Sequence, residues 1–362
     1  MKLRILIQTP DLSEGDGIAN VIMGQYDTLV ENGCIVDFVE KEHNISTYTK
    51  KVEKNGGKFY VFKSVKQIKS IMKLGNYDIV HINFGDFLPY ILVYYAKKYN
   101  VKKIIWHSHN TKNKINLKGR IKHVLNYFFG VIQSNCYMAC TEKAGKDIFG
   151  NKEFYILNNA IDVDRFKYNY DIRIDIRKKY NIDDDCFIIG TVCRYSLQKN
   201  PIFMLDIIKE IKKYRKVKFL WVGASNDYAK EIFEYIEKNN LKNDVILVGM
   251  VSNPSIYYNA MDAFIMPSFW EGLGITYIEA QANGLPTYGS DVVPQEASMT
   301  ELFKALPINN GVNLWIEHLK KDKIRNQKLL KDVRNIITKK GYNLREYSGE
   351  LYKLYINFLK NK

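Results

Sequence analysis

Glu271 and Glu279 stand eight positions apart in EGLGITYIEAQANGLP (271–286), around a turn bracketed by Gly272 and Gly274. The second glutamate falls where a helix is expected to begin. Helix starts carry unpaired N–H groups and partial positive charge, so they hold phosphates well. Carboxylates beside such a site repel phosphate and are suited instead to accepting hydrogen bonds from hydroxyls. A ligand that offers phosphates and many hydroxyls together is a nucleotide sugar. Upstream, IIGTVCRYSLQKNP ends a strand at about Cys193 and enters a loop with Arg194 and Lys199. In an open parallel sheet, ligands bind beyond the carboxyl ends of strands. Two cations there can grip a diphosphate and neutralise the charge that grows on it as a bond to it breaks. Ordinary surface cations, a solvated turn and a surface glutamate are the plainer readings of the same residues.

Three further groups could act. His107 and His109 follow a predicted strand in WHSHNT, and histidine can position or polarise a hydroxyl near neutral pH. A purely structural histidine is the alternative, more so for His107. Gly15 and Gly17 follow the first strand and precede a helix, a place for a phosphate or a sugar, but their spacing is not the G-x-G-x-x-G fingerprint. Asp183, Asp184 and Asp185 sit in a presumed linker without further ligands nearby, so they do not read as a metal site. The sequence has no P-loop, nucleophile elbow or H-E-x-x-H helix.

The elements that must position these residues alternate. Strands are predicted at Leu3–Gln8, Cys34–Val39, Ile79–Ile82, Lys103–Trp106 and Tyr137–Ala139, then at Ile188–Cys193, Lys218–Val222, Val245–Val248 and Ala263–Met266. Helical patterns such as Ile202–Tyr214 and Tyr228–Asn239 lie between them. Such alternation implies parallel sheets in an α/β fold. The pattern restarts after about Asp183, behind a polar stretch (164–185) that reads as a boundary. With 362 residues, 46% of them apolar, the chain can bury two cores. A last helix over 343–362 carries Leu344, Tyr347, Leu351, Leu354 and Phe358 in one stripe, which packing on its own protein would satisfy.

The net charge of +15 implies an anionic partner, and phosphorylated substrates or an anionic membrane fit it better than nucleic acid, for which no base-reading motif is present. Five irregularly spaced cysteines suit a reducing cytosol, and no signal peptide or membrane span is read, so the expected location is cytoplasmic. Lys112, Lys114, Lys118, Arg120 and Lys122 precede Val124, Leu125, Tyr127, Phe128 and Phe129, the composition of a helix lying on a membrane. A core helix with one solvated face is the first expectation for this segment, and the membrane contact the second.

The combination resembles retaining glycosyltransferases of family 4, most of all bacterial enzymes that build capsular and exopolysaccharides. HSHN (107–110), NNAID (158–162), RYSLQKN (194–200) and PSFWEGLGITYIEAQANGLP (267–286) carry the resemblance over nearly the whole chain. It implies a GT-B fold, two Rossmann-like domains facing each other across a cleft. The implied division is an acceptor domain at 1–165, a nucleotide-sugar domain at 166–342, and a final helix at 343–362 crossing back to the first.

By the resemblance, Arg194 and Lys199 grip the diphosphate and Glu279 accepts from the ribose hydroxyls. Glu271 binds the transferred sugar with main-chain N–H groups of Leu273, Gly274 and Ile275. His109 faces the sugar, and Gly17 lies near the diphosphate and acceptor. The implied donor is a nucleotide sugar, with uridine the first expectation for the base. The implied acceptor is a glycan or lipid-linked sugar at the inner face of the plasma membrane, and no cofactor is required. Two departures stand out. Asp16, Ala19 and Asn20 surround Gly17 where family members often have paired glycines and a glutamate, which weakens any acceptor assignment. Asn283 replaces a small residue. The rival functions are a nucleotide-sugar epimerase, a non-catalytic nucleotide-binding relative, and a nucleic-acid binder.

Overall fold

The computed structural model describes residues 2–9, 12, 17–40, 46–83, 87–109, 111, 117–225, 228–325 and 332–360. Gly15, Asp16, Asn110, Lys112 and Lys114, singled out above, lie outside them. The chain forms two units: Met1–Ala160 with Leu344–Lys362, and Ile161–Asn343.

The first unit is a parallel seven-stranded sheet. Its strands are β1 (Arg4–Gln8), β2 (Ile35–Glu40), β3 (Phe59–Val61), β4 (Ile79–Ile82), β5 (Lys103–Ser108), β6 (Cys136–Ala139) and β7 (Tyr155–Ile156), in the order β3-β2-β1-β4-β5-β6-β7. The order reverses between β1 and β4, the switch point at which open α/β sheets bind ligands. The expected last helix is two, Leu344–Tyr347 and Glu350–Lys360. Their apolar stripe enters this unit's core: Leu351, Tyr355 and Phe358 are buried with Ile5, Phe38 and Met138.

The second unit is a parallel six-stranded sheet: β8 (Phe187–Val192), β9 (Val217–Val222), β10 (Val245–Gly249), β11 (Ala263–Met266), β12 (Thr287–Ser290) and β13 (Phe303–Leu306). Its order is β10-β9-β8-β11-β12-β13, the Rossmann arrangement, with the switch point between β8 and β11. Both units are therefore Rossmann-like, as the GT-B expectation required.

The polar stretch 164–185 lies inside the second unit rather than between units. It contains the helix Tyr170–Lys179, and its Arg173 and Arg177 are buried. Asp262, fully buried before β11, explains them: it accepts from Arg173 Nη2 at 2.7 Å and from the N–H groups of Ile188 (2.8 Å) and Arg325 (2.9 Å). Likewise 163–165, placed in the first domain by the sequence division, belongs to the second unit, where the N–H of neighbouring Ile161 donates to Tyr342 O. Asp183 and Asp185 pair with Lys216 at the surface.

Candidate active site at the ends of β8 and β11

The loop after β8 is held by its neighbour strand. Cys193 N–H donates to Val222 O, Trp221 Nε1 donates to Cys193 O at 3.1 Å, and Tyr195 N–H donates to Ala224 O. Gly223 makes this possible. A Cβ there would lie 2.0 Å from Cys193 O, and its φ of +152° is one that residues with side chains rarely adopt. Cys193 and Tyr195 point into the core, so Arg194 between them is turned out and exposed. The chain then makes a short 3-10 turn, Leu197–Lys199, before the helix Pro201–Ile211.

The loop after β11 meets that turn. Phe269 N–H donates to Gln198 O at 2.8 Å, and Gln198 Nε2 donates back to Trp270 O at 2.8 Å. This clip brings Lys199 Nζ to 2.5 Å from Glu271 Oε1. Ser268 Oγ donates to the same oxygen at 2.7 Å, and Glu271 is 5% exposed. The expected phosphate cation and the expected sugar-binding acid are thus an ion pair, a contact the sequence reading did not foresee.

The helix that follows runs Ile275–Ala282, so it begins four residues before Glu279 rather than at it. Gly274 caps it at φ 77°, a left-handed turn in which a Cβ would strike the Tyr277 ring at 2.5 Å. The first N–H groups of a helix lack carbonyl partners within it and suit an anion, although Tyr277 N–H here donates to Gly274 O at 3.0 Å. Glu279 is half-buried, and its Oε2 accepts from Tyr258 OH at 2.6 Å. Burial raises the Glu279 pKa, while the Tyr258 hydrogen bond and the charge of Arg165 oppose the rise. Cys193 lies inside this neighbourhood: burial pushes its thiol up to about 11, and it feels the charges of both Lys199 and Glu271.

Arg194, Lys199, Glu271, Leu273, Gly274, Ile275 and Glu279 therefore gather at one switch point. His109 and Gly17 belong to the first unit. Gly17 opens the helix Gly17–Glu31 after β1. His109 follows β5; its Nε2 lies 2.8 Å from Asn83 Oδ1, and its ring lies 3.9 Å from that of His107. His107 Nδ1 lies 3.1 Å from His81 Nε2, and His81 Nδ1 lies 2.6 Å from Tyr355 OH. Burial keeps all three histidines neutral, with His81 lowered to about 3, His109 to about 4 and His107 well below its usual value. His81, Asn83 and Tyr258 were missed in the sequence. His81 hides in the apolar strand IVHI, although a lone histidine in such a strand was a usable signal. Tyr258 sits in a short helix, Ser255–Tyr258, that shows no motif.

Residues 172–337 match the family described as glycosyl transferases group 1. The chain carries a group 1 glycosyltransferase domain. The matched span of this glycosyltransferase includes Arg194, Lys199, Glu271 and Glu279. A Bacillus subtilis (strain 168) protein described as glycosyltransferase EpsF is 25% identical to it, over 97% of this chain and 96% of its own. The Escherichia coli UDP-Gal:alpha-D-GlcNAc-diphosphoundecaprenol alpha-1,3-galactosyltransferase is 25% identical, over 83% of this chain and 80% of its own. Among solved structures, Anabaena HepE in complex with UDP and glucose superposes on the glycosyltransferase with a TM-score of 0.78 at 14% identity, covering 98% of this chain and 100% of that one. That likeness establishes the shared fold.

Proposed function

We propose that this glycosyltransferase is a retaining enzyme that moves a sugar from a uridine-diphosphate sugar to a glycan or lipid-linked sugar acceptor in surface polysaccharide synthesis. One observation carries the reading: at the β8/β11 switch point, exposed Arg194 and the Lys199–Glu271 pair flank a helix start. Arg194 and Lys199 bind the diphosphate, and Glu279 takes the ribose hydroxyls. Glu271 takes hydroxyls of the transferred sugar, aided by the N–H groups of Leu273, Gly274 and Ile275. His109, held neutral, faces the sugar as a hydrogen-bonding group, and Gly17 lies close to the diphosphate and acceptor.

In the step itself, the bond from the anomeric carbon to the diphosphate oxygen breaks. The acceptor hydroxyl oxygen bonds to the same carbon from the same face, and a donor phosphate oxygen takes the acceptor proton. The electron pair leaves on the diphosphate, whose charge the two cations stabilise, so no metal is required. The HepE complex with UDP and the diphosphoundecaprenol substrate of the E. coli relative support the donor and acceptor classes. A lipid-linked acceptor sets the reaction at the inner face of the plasma membrane, in peripheral contact with anionic lipid.

The test offers a panel of nucleotide sugars with membrane extract and follows nucleotide release and product mass. The expected result is nucleotide release coupled to a heavier, sugar-extended product, surviving exhaustive EDTA. Conversion of donor alone to an epimer, or nucleotide binding without sugar release, refutes the proposal. Complete loss with EDTA refutes its metal independence.

A further inference from the structure

The helix Leu117–Asn126 runs into a π-turn, Tyr127–Val131, closed by Ile132 N–H donating to Tyr127 O at 2.9 Å. Along it Ile121, Val124, Leu125, Phe128, Phe129 and Ile132 recur at three- and four-residue steps, the spacing of one helix face. Such a stripe ordinarily faces the core. Here all six are exposed, Phe128 at 57% and Phe129 at 54%, while Gly130 and Val131 pack inward. The first sequence expectation for this segment, a core helix with one solvated face, is thereby corrected: the apolar face is the solvated one. The π-turn allows it, because its extra residue lets Gly130 and Val131 turn inward while both phenylalanines stay out. The helix is anchored from behind, where Tyr90 OH donates to Asn126 Oδ1 at 2.5 Å and Tyr137 OH donates to Val131 O at 2.9 Å.

The sequence around this stripe carries charge of one sign. Residues 87–141 contain nine lysines and arginines, from Lys97 to Lys122, and no aspartate or glutamate. Lys118, Arg120 and Lys122 lie on the helix itself, and Lys97 Nζ donates to Gln133 Oε1 at 2.7 Å beside Ile132. We infer that this face docks on an anionic bilayer, with the six apolar side chains inserted at the headgroup boundary and the basic residues against lipid phosphates. A twelve-residue stripe is about 17 Å long, enough to lie in the interface, and no helix of the described residues is long and apolar enough to cross a membrane. A second copy of the chain is the poorer occupant. A second copy would set this acid-free stretch of sequence against itself, like charge on like. The surface stands apart from the reaction: it would bind lipid whichever sugar is transferred.

The test is co-sedimentation of the full chain with phosphatidylcholine vesicles, with and without phosphatidylglycerol. Binding is expected only with the anionic lipid and is expected to fall as salt rises. Phe128→Ser combined with Phe129→Ser should weaken it about tenfold or more, with UDP affinity and the unfolding midpoint unchanged because both rings are largely exposed. Equal binding to neutral and anionic vesicles overturns the inference, as does wild-type binding by the double variant. So does a dimer that the double variant dissociates, without vesicle binding: a second copy then covers the stripe.

Discussion

Arg194 and Lys199 carry the same charge and are proposed to hold the same diphosphate, yet their alanine variants should differ in kind. Arg194 is exposed, and its guanidinium makes no ion pair or hydrogen bond among the described residues. Arg194→Ala should therefore leave unfolding free energy within about 0.5 kcal/mol of wild type. A cation that stabilises a leaving diphosphate contributes about 2–4 kcal/mol to the barrier, so turnover should fall ~100-fold or more. Lys199 adds a second role, because its Nζ neutralises Glu271, which is only 5% exposed. Breaking a buried pair costs about 3–5 kcal/mol, and the lower end applies because Ser268 Oγ still donates to the carboxylate. Lys199→Ala should lose both turnover and stability, and adding Glu271→Gln should recover most of the stability but none of the turnover. Urea unfolding and nucleotide release from the donor in the presence of acceptor extract separate the two quantities. Near-normal turnover in Arg194→Ala, or equal destabilisation by both single variants, would refute the reasoning.

Three neutral histidines, His81 and His107 buried and His109 half-buried, make a pH prediction for the first unit. Their folded pKa values lie below the unfolded one, so the unfolded chain binds more protons under acid conditions and stability rises with pH. Stability should be whole above pH 6.5 and fall, by a few kcal/mol in order of magnitude, as pH drops toward the His109 value of about 4. Flat unfolding free energy across that window would remove this account of the cluster. Gly223→Ala would push a methyl against Cys193 O and should cost at least about 1–3 kcal/mol together with UDP affinity; wild-type stability and affinity would show that the loop is not fixed there. Tyr258→Phe removes the hydrogen bond that holds the Glu279 pKa down, so the acid limb of UDP binding, measured by calorimetry, should move to higher pH. An unmoved limb would exclude Glu279 from the ribose contact.

The buried strands were legible because each is a short, mostly apolar run: Ile79–Ile82 and Ala263–Met266 match to the residue. Phe59–Val61 and Tyr155–Ile156 were missed because they are very short and lie at or beside a sheet edge. Thr287–Ser290, TYGS, was missed although it is buried, because its small polar residues give no apolar run. Side-chain polarity misled at 164–185, since arginines that neutralise a buried aspartate look like solvated charge in one dimension. The same blindness applied to Asn283. Its Oδ1 accepts from Arg325 Nη1 at 2.8 Å, and its Nδ2 donates to Phe166 O at 2.9 Å. A small residue there would remove one acceptor of buried Arg325, whose guanidinium also donates to Tyr258 O and to the Asn283 main-chain O. For the candidate site, strand ends and residue types gave the location, but pairing across 72 positions, as in Lys199 with Glu271, exists only after folding.

The first unit's core is finished by the last helix, through Leu351, Tyr355 and Phe358. During synthesis the first sheet emerges from the ribosome well before the three side chains that seal it, whereas the second unit is continuous and complete at Asn343. The usual N-terminal-first order of maturation is therefore inverted: the half made first waits, unsealed, for the half made second. A stalled or truncated chain would present a finished second unit joined to an open apolar sheet, a species that quality-control proteases should recognise.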